Sequence, residues 1–151
     1  MKGKSQGKAI KIRRLAAKDL PRVAAIQEAV TKTKVSPSKR AFLKNHIQKE
    51  SSVCLVAQIE GEVVGYIISE ILTNSFGLDQ GGWIQNFGVL PKYMGQGIGR
   101  TLAMNLFELF RKKKIDEIYT AVRWDSVDLL SFFKSIGFDR SNFINLYKKL
   151  E

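Results

Sequence analysis

Gly95, Gly97 and Gly99 stand at alternate positions in the run Met94-Gly95-Gln96-Gly97-Ile98-Gly99-Arg100, between an apolar stretch and a long amphipathic one. No other feature constrains the fold as strongly. A glycine in the first turn of a helix costs about 1 kcal/mol relative to alanine, so this clustering calls for a reason beyond making a bend. Bare backbone where a helix begins presents unpaired amides, and these together with the helix dipole favour an anion. The turn is therefore the expected seat of a phosphate-bearing ligand. The Rossmann fingerprint is excluded, because Arg100 stands where its third glycine belongs and Pro91 to Met94 separate the turn from the strand before it. The P-loop pattern, with its Gly-Lys-Ser/Thr ending, is absent.

The flanking sequence predicts one mixed α/β domain. A chain of 151 residues, 44% hydrophobic, fits a single domain over residues 9–151 behind a basic, flexible tail at 1–8. Ile10 and Ile12 alternate in a first strand, and Asp19 caps a helix running to about Val30 with Pro21 in its first turn. Phe42, Leu43, His46 and Ile47 mark a second helix over 38–49. Residues 53–59 and 63–72 read as a hairpin around Gly61-Glu62, and 74–82 as a glycine- and polar-rich loop. A strand over 83–90 leads into the glycine turn. From there Ile98, Leu102, Leu106, Leu109 and Phe110 line one face of a helix. A strand over 115–124 follows, then a short helix capped by Asp125 or Ser126 and closed by Gly137, then one or two strands over 138–150. The expected fold is α/β (α+β), a mixed, mostly antiparallel central sheet flanked by about four helices.

The net charge of +11 and pI near 9.9 suit an anionic partner: nucleic acid, an acidic membrane or a phosphorylated small molecule. Part of the excess lies in the tail and in Arg111-Lys112-Lys113-Lys114, which suits a helix C-terminus. Aromatic and basic residues do not interleave as on an RNA-binding sheet, so nucleic acid is not the expected partner. No apolar run approaches the roughly 18 residues of a membrane span, and the tail lacks a signal-peptide core. Cys54 is the only cysteine, which fits a reducing, cytoplasmic setting. With His46 the only histidine, no metal site is expected.

The stretch Val89-Leu90-Pro91-Lys92-Tyr93-Met94-Gly95-Gln96-Gly97-Ile98-Gly99-Arg100-Thr101-Leu102 resembles the acyl-CoA-binding motif of the GNAT superfamily of N-acetyltransferases, Gln/Arg-x-x-Gly-x-Gly/Ala after a strand ending in Val-x-Pro. Phe132-Phe133-Lys134-Ser135-Ile136-Gly137-Phe138 resembles that family's C-terminal signature. Both stand in the family's order, and the element order matches from Ile10 to Leu150.

The resemblance implies transfer of an acetyl group from acetyl-CoA, as co-substrate, to a primary amine by direct attack. The amine belongs to a protein N-terminus, a lysine or a small molecule. The acceptor side can therefore be a small molecule, peptide or protein, and the chain a monomer or homodimer. Phe87, Gly88 and Val89 would hold the pantetheine arm. The Val89 amide would polarise the thioester carbonyl and stabilise its developing negative charge. Backbone from Met94 through Gly95, Gln96, Gly97, Ile98, Gly99 and Arg100 would cradle the pyrophosphate, with Arg100 either adding charge there or standing as a solvated helix residue.

The chain departs from the family pattern at four places. Met94 replaces a Gln or Arg, and Gln85 stands where a catalytic Glu is frequent. Phe133 occupies the position of a Tyr acid on the cofactor side. Ser126 replaces an Asn that contacts pantetheine, and serves there or as a helix N-cap. Gln85 can position water but is no base. Glu70 and Asp79 are the candidate bases acting through water, and Tyr93, Tyr119 and Tyr147 the candidate acids; each also reads as a surface or packing residue. His46 lines the acceptor side or borders the core. Phe76, Trp83 and Trp124 are acceptor walls or core aromatics. Two alternatives from other classes remain: a non-catalytic CoA-binding regulatory module, suggested by Gln85 and Phe133, and a nucleic-acid-binding protein, suggested by charge alone.

Overall fold

A computed structural model of the protein describes residues 8–75 and 77–151, so the basic tail up to residue 7 and Phe76 lie outside the described residues. The chain divides into two compact units, Met1–Thr120 and Ala121–Glu151, each described by itself.

The larger unit is built from β1 (Ile10–Arg14), α1 (Leu20–Thr31), α2 (Pro37–His46), β2 (Ser52–Ile59), β3 (Glu62–Ser75), β4 (Leu78–Val89), α3 (Ile98–Lys112) and β5 (Ile118–Thr120). The five strands lie in chain order across one sheet. The first four run antiparallel and β5 lies parallel to β4. With α4 (Val127–Ser135) of the smaller unit, this is the mostly antiparallel sheet and four helices that the sequence predicts.

Alternation along the strands gives the sheet two apolar faces. Cys54, Val56, Tyr66 and Ile68 join Val23 and Ile26 of α1 and Leu43 of α2 in one buried cluster. On the opposite face lies α3, whose Ile98, Leu102, Leu106 and Phe110 are buried. A Cβ added to Gly65 would come within 3.1 Å of Ile98. Each such side chain contributes about 1.5–3 kcal/mol by leaving water.

Several element boundaries differ from the sequence expectation for physical reasons. The expected loop over 74–82 is mostly strand: β3 continues to Ser75 and β4 begins at Leu78. Gly82 reads as a turn residue in the sequence but serves close packing, because a Cβ there would lie 2.8 Å from the Phe110 ring. Asp19 does stand at the N-cap of α1, yet its carboxylate does not cap the helix. It takes two hydrogen bonds from Arg13, both 2.8 Å, and one from the Ala16 amide. Helix α2 begins one residue early, where the Ser36 hydroxyl accepts the Lys39 amide, and ends at His46 rather than Lys49. The strand expected over 115–124 shortens to the three residues of β5.

In the smaller unit, Gly137 closes α4 as expected. Its amide donates to Lys134 and that of Phe138 to Phe133, at 3.1 and 3.0 Å, the paired bonds of a Schellman motif. Arg123 holds Asp125 in a two-pronged ion pair, which leaves Ser126 as N-cap, without a side-chain bond. The strands expected over 138–150 are absent. No ladder partner is registered with that segment, and its Ile144, Leu146 and Leu150 are exposed.

Candidate functional site

β4 changes character along its length. Gly82, Trp83 and Ile84 pair with β3 on one edge and β5 on the other. Beyond Ile84 the β5 edge carries no registered strand, while pairing with β3 continues to Val89. Just past the strand, the Leu90 amide donates to the Val64 carbonyl at 2.8 Å. Successive residues of a strand point their backbone groups to opposite edges, so the amide of Val89 faces the open edge.

A bulge marks the same transition. Ile68 registers with Asn86 and Ser69 with Ile84, so Gln85 has no partner residue in β3. A bulge re-aims the side chain it carries. Here the Gln85 amide nitrogen comes to 3.3 Å from Oε1 of Glu70. Asn86, next in line, is held from the α1 side. It accepts the buried Tyr66 hydroxyl and the Phe87 amide, both at 2.9 Å, and donates to Gln27 of α1 at 3.4 Å. Burial pushes the Tyr66 phenol well above its ordinary pKa, so it stays a donor. A Cβ at Gly88 would lie 2.9 Å from the Tyr66 ring, so the close approach that Gly88 allows is that of this ring.

The glycine turn follows a short 3-10 turn, Pro91–Tyr93. Gly95 and Gly97 adopt φ of 81° and 83°, the left-handed region, and a Cβ on either would meet nothing within 4 Å. Backbone conformation, not crowding, selects glycine at both. The first amide of α3 with a carbonyl partner four residues back is Thr101, bonded to Gly97 at 2.9 Å. The amides of Gly97, Ile98, Gly99 and Arg100 therefore lack intrahelical acceptors. The first turn holds no acidic side chain to compete with an anion. Met94 and Arg100 are exposed, and Lys92 lies over the Tyr93 ring at 5.3 Å.

A second cluster forms where β3 meets the end of α2. Glu70 accepts from Ser51 Oγ at 2.9 Å and Lys49 Nζ at 3.4 Å, both on Oε2. His46, buried, places Nε2 3.3 Å from the Ser69 carbonyl. The Cys54 thiol shares that carbonyl at 3.8 Å. His46 Nδ1 stands 3.9 Å from Glu70 Oε1 and has no hydrogen-bond partner. Burial raises the Glu70 pKa, but the Ser51 hydrogen bond and the charge of Lys49, with the Gln85 bond and the facing His46 ring when protonated, outweigh it. The net effect is a pKa below the ordinary value. Phe42, half exposed, stacks on the His46 ring at 5.6 Å. Trp83, opposite Glu70 in register, stacks on Tyr119 at 4.8 Å.

Of the residues singled out from the sequence, Glu70, Gln85 and His46 come together. Glu70 and Gly65, the register partner of Val89, are five positions apart on β3, about 17 Å along the strand. Tyr93 lies beyond Val89, on the far side from Gln85 along the chain. Asp79 is exposed near the start of β4. Ser126 and Phe133 belong to the smaller unit, where Phe133 packs edge-on against Phe132 and Phe138. Trp124 and Tyr147, also in that unit, are exposed. Lys49, Ser51, Gln27, Tyr66 and Asn86 complete the two networks without having been picked out. The available signal was a polar residue in an apolar setting: Asn86 within the apolar run to Leu90, and Gln27 on the buried stripe of α1. Among the described residues, no cluster of His, Cys, Asp or Glu is disposed to hold a metal ion, and no helix is long and apolar enough to cross a membrane.

Residues 21–138 match the family described as acetyltransferase (GNAT). An N-alpha-acetyltransferase of Sulfurisphaera tokodaii is 26% identical over 113 residues, 70% of this chain and 68% of the relative. One of Sulfolobus acidocaldarius is 26% identical over 113 residues, 70% and 67% of the two chains. Among solved structures, an aminoglycoside acetyltransferase from an uncultured soil metagenomic sample, in complex with sisomicin, has a TM-score of 0.79 at 24% identity. The likeness covers 94% of this chain and 97% of that one. An aminoglycoside N-acetyltransferase in complex with CoA has a TM-score of 0.81 at 15% identity, covering 95% and 97%. At these identities the structural likeness speaks for the fold.

Proposed function

The chain belongs to the acetyltransferase (GNAT) family, and we propose that it moves the acetyl group of acetyl-CoA onto a primary amine, specifically the α-amino group of a peptide or protein N-terminus. The observation that carries this reading is the open edge of β4, with the Val89 amide facing it and the glycine turn following within ten residues. Acetyl-CoA supplies an activated acyl group as a thioester. The residues present fit it: unpaired amides from Gly97 to Arg100 suit a pyrophosphate, and the space over Gly95 and Gly97 leaves them approachable. The Val89 amide donates toward the thioester oxygen as negative charge builds there.

The acceptor class follows from what the site lacks. Gln85 cannot take a proton, and Glu70 lies well along the strand from Val89. An α-amino group, with a pKa of about 7.7–8.0, is partly neutral at pH 7 and attacks without a strong base, whereas a lysine at about 10.4 needs one. Two relatives named N-alpha-acetyltransferases support the same choice. Gln85 then lines the acceptor side, with Glu70 behind it at 3.3 Å.

The test is acetylation of three acceptors by the full chain with acetyl-CoA: a peptide with a free N-terminus, the same peptide N-blocked with an internal lysine, and an aminoglycoside. Turnover fastest on the free N-terminus supports the reading. Preference for either other amine overturns the acceptor class. Tight CoA binding with no transfer to any amine makes the protein a CoA-binding module instead.

A further inference from the structure

Glu70 is placed in the acceptor half of the site by the function proposed above, and what lies behind it is a histidine with an unspent nitrogen. The Ser69 carbonyl can only accept, so Nε2 of His46, 3.3 Å away, must carry a hydrogen. In a neutral ring this leaves Nδ1 as a bare lone pair. That atom is fully buried, has no hydrogen-bond partner, and faces the Glu70 carboxylate at 3.9 Å. Two acceptors confronting one another away from water form an unfavourable pair, and buried polar atoms are normally satisfied.

We propose that His46 is the positioning residue of the acceptor site, steering the Glu70 carboxylate through a proton held between Nδ1 and Oε1. At 3.9 Å the two atoms are too far apart for a hydrogen bond, so the carboxylate turns toward the ring to close it. Its other oxygen is pinned: Ser51 and Lys49 both hold Oε2. Glu70 therefore pivots on Oε2, and Oε1 has two settings, one on His46 and one on the Gln85 amide at 3.3 Å. With the proton in place Oε1 goes to the ring, and Gln85 is released toward the acceptor. Without it Oε1 returns to Gln85. The charged and titratable groups around the pair are few. Lys49 follows α2, Glu70 lies on β3, and Cys54 on β2 shares the Ser69 carbonyl, with Arg14 of β1 acting on that thiol through its charge. Phe42 covers one face of the ring.

The chain has a single histidine, so its ring nitrogens give one unambiguous set of 15N signals. The first measurement is the 15N ring spectrum of the full chain at pH 7, in the parent and in Glu70→Gln. The Nδ1 proton is expected in the parent and lost in the variant; identical ring spectra overturn the pairing. The second compares kcat/KM against pH, on a free-N-terminus peptide, for the parent, His46→Asn and His46→Phe. Asparagine keeps an N–H in the place of Nδ1 but does not titrate. It is expected to retain most of the rate. Phenylalanine is expected to lose about tenfold in kcat/KM with the KM for acetyl-CoA unchanged, the effect of roughly one hydrogen bond. Superimposable profiles for all three overturn the positioning role. The ring spectrum needs no turnover: a Glu70-dependent proton in a protein that acetylates no amine upholds the pairing and fails the acetyl-transfer reading instead.

Discussion

The two halves of β4 share a backbone and little else. Gly82 to Ile84 are clamped by ladders on both edges, and at Gly82 the Phe110 ring leaves no room for even a methyl group. Gln85 to Val89 are held on one edge only, with a bulge at the boundary and the Val89 amide turned outward. The first half gives a fixed origin; from it the second turns the Val89 amide toward the open edge. A loop could expose the same amide but would not hold its direction. The ladder thus opens at Gln85, one residue beyond Ile84, the last position paired on both edges.

The sharpest way to break this contrast is Val89→Pro. It deletes the outward amide without touching a bond to β3. Loss of about 10²–10³ in kcat/KM is expected, the usual effect of removing one oxyanion donor, beyond the loss in Val89→Ala, which trims the same buried side chain but keeps the amide. Steady-state rates beside a thermal melt check it, and an undiminished rate would remove Val89 from the chemistry. In the clamped half, Gly82→Ala drives a methyl into the buried Phe110 ring. A stability loss of about 1–3 kcal/mol in urea titration is expected. Gly97→Ala meets no neighbour but must hold φ near 83°, which costs an L-residue about 1–2 kcal/mol. The turn is exposed and relaxes, so the loss is read as roughly tenfold weaker acetyl-CoA binding by calorimetry.

The smallest effect lies beside the bulge. The folded-state pKa of Glu70 is below its ordinary 4.5, so on acidification the unfolded chain takes up the proton first. The carboxylate's contribution is full above 4.5 and disappears as pH falls through the folded value. The stability gap between the parent and Glu70→Gln, about 1 kcal/mol at most for so modest an ion-pair cluster, should close between neutral pH and pH 2. A gap that persists at pH 2 would show that the Glu70 contacts act by packing rather than charge.

The glycine turn that follows the open half was the most legible feature in the sequence, because its signal is local. Glycines at alternate positions before an amphipathic run announce both the turn and the helix start at Ile98, and the structure keeps each where expected. What could not be read were relations between segments. Gln85 is a bulge only because Ile84 and Asn86 take successive partners in β3, a matter of register that belongs to two strands at once. Gly82 carries the composition of a loop, and nothing near it in the chain tells of Phe110, which comes 28 residues later. Asp19 looks like a cap until Arg13 is brought beside it. The meeting of His46 with Glu70 likewise depends on where α2 ends relative to β3, while each was visible only singly, Glu70 as a candidate base and His46 as a residue of the acceptor side or the core border.

The burial of Cys54 has a practical consequence. It is the chain's only sulfhydryl, 4% exposed, tied to the Ser69 carbonyl, and raised in pKa chiefly by desolvation. A buried, protonated thiol reacts slowly with electrophiles. Acetyl transfer from acetyl-CoA releases a reactive thiol into solution, so a chromogenic disulfide reagent added to the folded protein should report product alone, with the protein itself a silent background until it unfolds.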